Sequence, residues 1–289
     1  MKPPAFEYLS PTSIDEAAAA LAEAGEDAKV MAGGQSLIPL LSLRLARPAV
    51  VIDLSGVREL AGISPNGSGV KVGAMTRHRT VEKSSDIATL VPLLAQAMPL
   101  IGHAAIRSRG TIGGSLAHAD PAAELPSVAA ALDAKFTMTS KARGERTVSA
   151  ADFFQGFFTT AIQPDEILTA ITFPKAAANT GYCIEEVARR HGDFAMVGAA
   201  VVLGIDGGKI NKAAISLLNV HETPFRATAA EAALIGQAPS VALFADAATA
   251  GTKDLEPSGD LHASPAYRRK VGAVCIRRAL EKASAQAGA

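Results

Sequence analysis

Two glycine-rich stretches constrain the fold of this chain more than any other feature. They are Ala32-Gly33-Gly34-Gln35-Ser36 and Gly110-Thr111-Ile112-Gly113-Gly114-Ser115, each following or entering an apolar run. Glycine lets a backbone approach a diphosphate closely and adopt φ > 0, so that successive N–H groups converge on negative charge without a lysine. Either stretch alone reads equally well as a tight turn. Two of them, about a subdomain apart, are placed to grip one long phosphorylated ligand from both sides.

A chain of 289 residues exceeds the usual single-core size and predicts two or three packed subdomains. Hydrophobic residues at 48% and charged residues at 19% describe a globular protein, and a formal net charge of +0 removes any electrostatic case for nucleic acid or an anionic membrane. A phosphate-bearing ligand must therefore be held locally. Cys183 and Cys275 are the only cysteines, too few for a four-thiolate iron–sulfur cluster or a disulfide framework. The six histidines show no His-x-x-x-His spacing, so no metal site is expected. The N-terminus lacks a signal-peptide run, and the longest apolar segments are too short or too interrupted to span a bilayer, which makes the cytoplasm the expected location.

Along the chain, Thr12 or Ser13 caps a predicted helix over 14–24, with capping-box spacing from Ser13 to Glu16, and Gly25 stops it. Residues 29–31 read as a short strand feeding the first glycine stretch, followed by a helix over 36–45 and a strand over 49–54. This is a small α/β unit, residues 1–55. Residues 56–176 form a second unit with short antiparallel strands around the Asn66-Gly67 turn, one buried helix expected over 90–105, a helix to Leu132, a strand over 135–139, and an aromatic patch at Phe153, Phe154, Phe157 and Phe158. The small-residue run after Pro174 marks a boundary. Residues 177–289 then carry strands over 195–205 and 212–218, a hairpin turn at Asp206-Gly207-Gly208, and helices near 227–235, 241–250 and 264–282.

Several chemistries lack their signatures. There is no Gly-x-Gly-x-x-Gly fingerprint after the first strand, no Gly-Lys-Ser/Thr phosphate loop, and no Gly-x-Ser-x-Gly elbow. What remains is a cradle of backbone donors with the hydroxyls of Ser36 and Thr111, a chemistry that suits a dinucleotide such as flavin adenine dinucleotide. Its rings need flat apolar slots and its sugar hydroxyls need acceptors. Taken singly, Ile101 and Leu168 read as core packing, Asp120 and Glu124 as loop or helix N-terminal charges, Phe194 as a core strand residue, and Arg189 and Arg190 as surface charges or a docking point.

The motifs taken together resemble the flavin-binding medium subunit of molybdenum-containing hydroxylases, the group of the aerobic carbon monoxide dehydrogenase medium subunit and the xanthine dehydrogenase flavin domain. Lys29 to Leu37, Ile101-Gly102-His103, Arg107 to Pro126, Asp165 to Leu168, Val187 to Ala195 and Ser264 to Arg269 carry the resemblance, in order, over nearly the whole chain. It implies an α+β fold: an α/β N-terminal subdomain and a mixed or antiparallel sheet subdomain of the p-cresol methylhydroxylase (PCMH) type, then a C-terminal antiparallel three-stranded sheet with helices. The implied FAD-binding residues are Lys29, Val30, Met31, Ala32, Gly33, Gly34, Gln35, Ser36 and Leu37; Ile101 and Ala105; Thr111, Gly113, Gly114, Ser115 and Ala117; and Asp120, Glu124, Leu168 and Phe194. Within that set Ile101 packs by the ring system, Glu124 accepts from cofactor hydroxyls, Leu168 offers a backbone contact and Phe194 covers the flavin. No catalytic acid or base is assigned.

Two residues depart from the family pattern: Gln35 where histidine is common, and Ser115 where asparagine is common. Both keep hydrogen-bonding ability. The cysteine count argues against the 4-hydroxybenzoyl-CoA reductase branch, which carries an extra cluster. The implied function is electron transfer: FAD in this chain receives electrons from a small subunit with two [2Fe–2S] clusters, fed by a large molybdopterin subunit, in a dimer of heterotrimers, and passes them to an external acceptor. A stand-alone PCMH-type flavoprotein oxidase or dehydrogenase, and an ancillary protein without flavin, are the alternatives. Gly33→Asp or Gly114→Asp is expected to abolish flavin binding while leaving the fold largely intact.

Overall fold

The computed structural model describes residues 1–67 and 69–288. The N-terminal unit is a three-stranded parallel sheet of β1 (Glu7–Leu9), β2 (Ala28–Met31) and β3 (Val50–Asp53), in the order β1-β3-β2. Helix α1 (Ile14–Ala24) runs between β1 and β2. The Ser13 hydroxyl accepts from the Glu16 N–H, and Gly25 ends the helix at φ 59°. Helix α2 (Leu37–Ser42) is shorter than the expected 36–45, because Arg44 turns to φ 59° and the Leu45 N–H folds back onto the Leu40 carbonyl.

The middle unit is built on a five-stranded antiparallel sheet. Its first strands are β4 (Ile63–Pro65) and β5 (Gly69–Gly73), followed by helices α3 (His78–Glu82), α4 (Ser85–Leu90) and α5 (Pro92–Ala97). The single helix expected over 90–105 is absent. Pro92 starts α5 afresh after Val91 at ψ 64°, Pro99 lies in a 3-10 turn, and Gly102 reverses the chain at φ 52°. Helices α6 (Ala104–Arg109), α7 (Ile112–His118) and α8 (Glu124–Ala131) follow, then β6 (Lys135–Ser140) and β7 (Gly144–Ser149). A short helix α9 (Ala150–Phe153) leads into the ribbon β8 (Phe154–Gly156) and β9 (Thr159–Thr160), and β10 (Glu166–Pro174) returns to the sheet, whose order is β4-β5-β10-β6-β7. The aromatic patch divides: Phe153 stacks on Phe136 at 3.8 Å in the core, whereas Phe157 and Phe158 are exposed.

The C-terminal unit is an antiparallel sheet of three long strands, β11 (Thr180–Val187), β12 (Val197–Asp206) and β13 (Lys209–Leu218), edged by the two-residue β14 (Phe225–Arg226). Gly207 and Gly208, both at positive φ, close the β12–β13 hairpin as its sequence predicts. Helices α10 (Thr228–Leu234), α11 (Val241–Thr252) and α12 (Pro265–Ala287) cover one face. Tyr182, Ile184, Ala200 and Val202 on the other face join the core of the middle unit. Because both faces are covered, Val197 to Gly204 are all buried and the strand carries no polar alternation.

Gly181 sets how closely α12 packs: a Cβ there would lie 1.8 Å from the Ala283 carbonyl oxygen. Gly181→Ala should destabilise the protein by about 1–3 kcal/mol through overpacking, read as a lower Tm with loss of amide exchange protection in α12.

Candidate functional site

The two glycine stretches meet face to face. A Cβ on Gly33 would lie 2.3 Å from the Arg109 carbonyl oxygen and 2.8 Å from the Gly110 Cα, and one on Gly114 would lie 3.1 Å from the Ala32 Cβ. Beside this contact opens a cavity of about 600 Å³, within the range of about 300–1,000 Å³ typical of ligand and cofactor sites.

The first stretch leaves β2 and enters α2, and among the described residues the N–H groups of Gly33, Gly34, Gln35 and Ser36 donate to no protein acceptor. Gly34 sits at φ 72°, so the turn presents these donors as a concave nest. Lys29, Val30, Ala32, Ser36 and Leu37 line the cavity around it. Met31 does not. It lies beneath the turn, its Sδ 3.6 Å from where a Gly34 Cβ would stand.

The second stretch is not a turn of free amides. It is the first turn of α7, and its donors are already engaged: Ile112 N–H to the Thr76 carbonyl (3.0 Å), Gly113 N–H to Ala74 (2.8 Å), Gly114 N–H to the Thr111 hydroxyl (3.0 Å) and Ser115 N–H to the Thr111 carbonyl (3.1 Å). Gly113 is needed for packing, since its Cβ would stand 2.4 Å from that of Ala74. The expectation of two equivalent amide cradles is therefore corrected. The first stretch supplies backbone donors; Thr111, Gly113, Gly114, Ser115 and Ala117 supply the facing wall.

The remaining walls come from three directions. β5 pairs with β10 only from Ala170 onward, so Glu166, Ile167 and Leu168 have β6 on one side and the cavity on the other. Ile101 is held in the wall by Arg107, whose Nη1 donates to the carbonyls of Ile101 (3.1 Å) and Gly102 (2.9 Å) while its guanidinium pairs bidentately with Glu82. Those bonds hold the Glu82 carboxyl below the usual carboxylate range. Ala105, by contrast, is exposed on α6 and does not line the cavity.

Glu124 opens α8 at only 5% exposure, yet it lines the cavity. Among the described residues no other residue's donor engages its side chain. Burial, with the Asp120 charge adding to it, pushes its carboxyl up to about 7. A buried acceptor at the start of a helix, facing open space, is suited to ligand hydroxyls. Asp120 shares this wall and accepts the Ala122 N–H at 2.9 Å.

Phe194 is not a core strand residue. It is 65% exposed in the turn before β12 and reaches the cavity mouth. Gly192, at φ 86° and with no room for a Cβ against His103, brings this turn onto the loop after Ile101. Arg189 and Arg190 are exposed, and Arg190 pairs with Asp193 at 3.0 Å. Sequence reading missed Phe158, half exposed at the mouth with its ring 5.0 Å from His118, and His78 behind Gly110. Phe158 stood in the aromatic patch already noted, but nothing in the pattern separated it from its buried neighbours.

These residues fit FAD: unpaired amides for a diphosphate, a buried carboxylate for hydroxyls and apolar walls for rings. Residues 4–176 match the family described as the FAD binding domain in molybdopterin dehydrogenase, and residues 182–283 match the CO dehydrogenase flavoprotein C-terminal domain. The chain is 41% identical to the caffeine dehydrogenase subunit beta of a Pseudomonas species, over 98% of this chain and 96% of that one. It is 39% identical to the carbon monoxide dehydrogenase medium chain of Afipia carboxidovorans, over 99% of each. Among solved structures, a chain of carbon monoxide dehydrogenase from Hydrogenophaga pseudoflava superimposes with a TM-score of 0.96 at 41% identity, covering 99% of both.

Fold and site thus define a flavoprotein subunit of the molybdenum hydroxylase class. The chain belongs to the FAD-binding family of molybdopterin dehydrogenases, with the C-terminal domain of the CO dehydrogenase flavoproteins.

The Gly33 contact changes what a substitution there tests. Gly33→Asp cannot leave the fold intact, because its Cβ would enter the Arg109 backbone. Even Gly33→Ala should cost about 1–3 kcal/mol, detected as a lower Tm of the flavin-free protein.

Proposed function

We propose that this chain is the FAD-bearing electron-transfer subunit of a complex with a small [2Fe–2S] subunit and a large molybdopterin subunit, arranged as a dimer of heterotrimers in the cytoplasm. The observation that carries this reading is the row of unpaired amides from Gly33 to Ser36 facing α7 across one cavity. Family membership supports it. Among the described residues no helix is long and apolar enough to cross a membrane, and no group of His, Cys, Asp or Glu could hold a metal ion. Cys183 and Cys275 are buried thiols whose burial pushes them up to about 11 and about 12, which suits packing rather than redox chemistry.

In this reading the units 1–55 and 56–176 hold the cofactor between them, and 177–289 closes the mouth with Phe194. Bound FAD supplies the redox chemistry, accepting electrons singly and releasing them in pairs. The amides of Gly33 to Ser36, with Lys29 beside them, hold the diphosphate, and the hydroxyls of Ser36 and Ser115 add donors. Glu124 accepts from sugar or ribityl hydroxyls. Ile101 and Leu168 exclude water from the rings, and Phe194 limits access from solvent. No acid or base for a substrate is assigned among the described residues, and relatives of near-equal identity named for caffeine and for carbon monoxide support placing substrate choice in another subunit.

Acid extraction of the purified protein should release stoichiometric FAD, and co-purification with two partner chains should distinguish the complex from a stand-alone flavoprotein. Colourless protein that takes up no FAD on titration would overturn the assignment. Gln35 is exposed and its amide donates to the Gly33 carbonyl at 3.1 Å, so Gln35→Glu should lower stability by no more than about 1 kcal/mol, while its negative charge beside the diphosphate weakens FAD affinity by about tenfold or more. Phe194→Ala should retain FAD but raise quenching of its fluorescence by iodide.

A further inference from the structure

The ribbon of β8 and β9 turns at the cavity mouth through a two-residue loop, Phe157-Phe158, between the paired residues Gly156 and Thr159. Phe158 takes a left-handed φ of 50° there. A Cβ crowds the following carbonyl in that conformation, so turns fill such a position with Gly or Asn, and a bulky aromatic in it is an outlier. The side chain is also 56% exposed. Phe158 thus carries two local costs, a strained backbone and apolar surface left in water.

Neither cost is required by the hairpin, which is held from its other end. Phe154 packs edge-on against Phe153 in the core, with ring centroids 5.1 Å apart at 89°. The Ala161 N–H donates to the Phe153 carbonyl at 2.8 Å, and Arg146, paired with Glu166, donates to the Ala161 carbonyl at 2.6 Å. The Thr159 hydroxyl closes the tip by donating to the Phe157 carbonyl at 2.8 Å. None of these contacts uses the Phe158 side chain. Among the described residues its one ring neighbour is His118, at 5.0 Å with an interplanar angle of 37°.

The strained residue lies on the cavity wall. Of the ten phenylalanines in the chain, only Phe158 and Phe194 line the cavity, one from the middle unit and one from the C-terminal unit. His118, Thr160, Ile162 and Leu168 line it as well. Phe157, the neighbour in the same loop, is similarly exposed at 50% but is not part of that wall.

We infer that Phe158 is a cofactor-contact residue: its ring stacks on a planar ring of the bound dinucleotide, and the left-handed turn places it there. This rests on the assignment of the cavity to FAD. Strain and exposure concentrated in one residue at a ligand cavity are offset when the ligand covers that residue. Stacking tolerates different partners because every aromatic ring presents a π face. The isoalloxazine and the adenine share that chemistry, and the experiment separates them.

The test uses the full chain with Phe158→Gly, Phe158→Tyr and, as a control in the same loop, Phe157→Ala. Glycine relieves the left-handed φ, so flavin-free Phe158→Gly should melt no lower than the wild type. In FAD titrations followed by flavin fluorescence it should bind about tenfold more weakly. Phe158→Tyr and Phe157→Ala should stay within about twofold of the wild type, since one keeps the ring and the other lies off the cavity wall. A shift in the visible absorption bands of FAD bound to Phe158→Gly assigns the stacked ring to the isoalloxazine. Unshifted bands with about tenfold weaker competition by ADP assign it to the adenine.

Full FAD affinity in Phe158→Gly, a matching loss in Phe158→Tyr or Phe157→Ala, or a loss with neither the spectral shift nor the weaker ADP competition would overturn the inference. So would a flavin-free Phe158→Gly that melts lower or fails to fold, the mark of a structural role. Failure of the wild type itself to bind FAD would instead overturn the assignment of the cavity.

Discussion

The site depends on one backbone contact, where Gly33 rests against the carbonyl of Arg109 and the Cα of Gly110. No side chain fits there, so the parallel sheet of the N-terminal unit and the helices of the middle unit approach to main-chain distance. Arg77 reinforces the junction by donating to the same Arg109 carbonyl, and the Arg77–Thr111 bridge ties the start of α3 to α7. The cavity lies beside this seam. Its donors are left over from the first stretch because that stretch follows a strand and precedes a helix, and neither element uses them.

The two glycine stretches look alike in composition but do different physical work. After β2, among the described residues, the amides of Gly33 to Ser36 meet no protein acceptor, and Gly34 at φ 72° turns them to one side. Around Thr111 the amides fold back onto Ala74 and Thr76 and build the first turn of α7, so the glycines there permit close helix–strand packing. One stretch keeps its donors free toward the cavity, and the other presses the wall against it. That division also explains why a glycine substitution here tests folding as much as cofactor binding.

The C-terminal sheet contributes to a site it does not contain. Through Ser127 and Pro121 it holds α8 in place, and through the turn at Gly192 it brings Phe194 to the mouth. Burial raises the carboxyls of Glu124 on α8 and of Glu186 on β11 alike.

Local chemistry was legible in the amino-acid string. Ser13 and Gly25 bound α1, Gly207-Gly208 closes a hairpin, and the glycine motifs fall on one cavity, because caps, turns and close backbone approach are dictated by the residues at the spot. Most residues expected at the cofactor lie on the cavity wall, and the motifs, not periodicity, pointed to them. The helix expected over 90–105 failed because a continuous apolar run hides its breaks: Pro92, Pro99 and Gly102 divide it, and burial on all sides removes the period that would have shown this. Which amides remain free, which phenylalanines face solvent and which carboxyls are buried were decided only in three dimensions. Each depends on partners far away in sequence, such as Thr76 for α7, Phe136 for Phe153 and Gly198 for Glu186, and no local pattern encodes who those partners are.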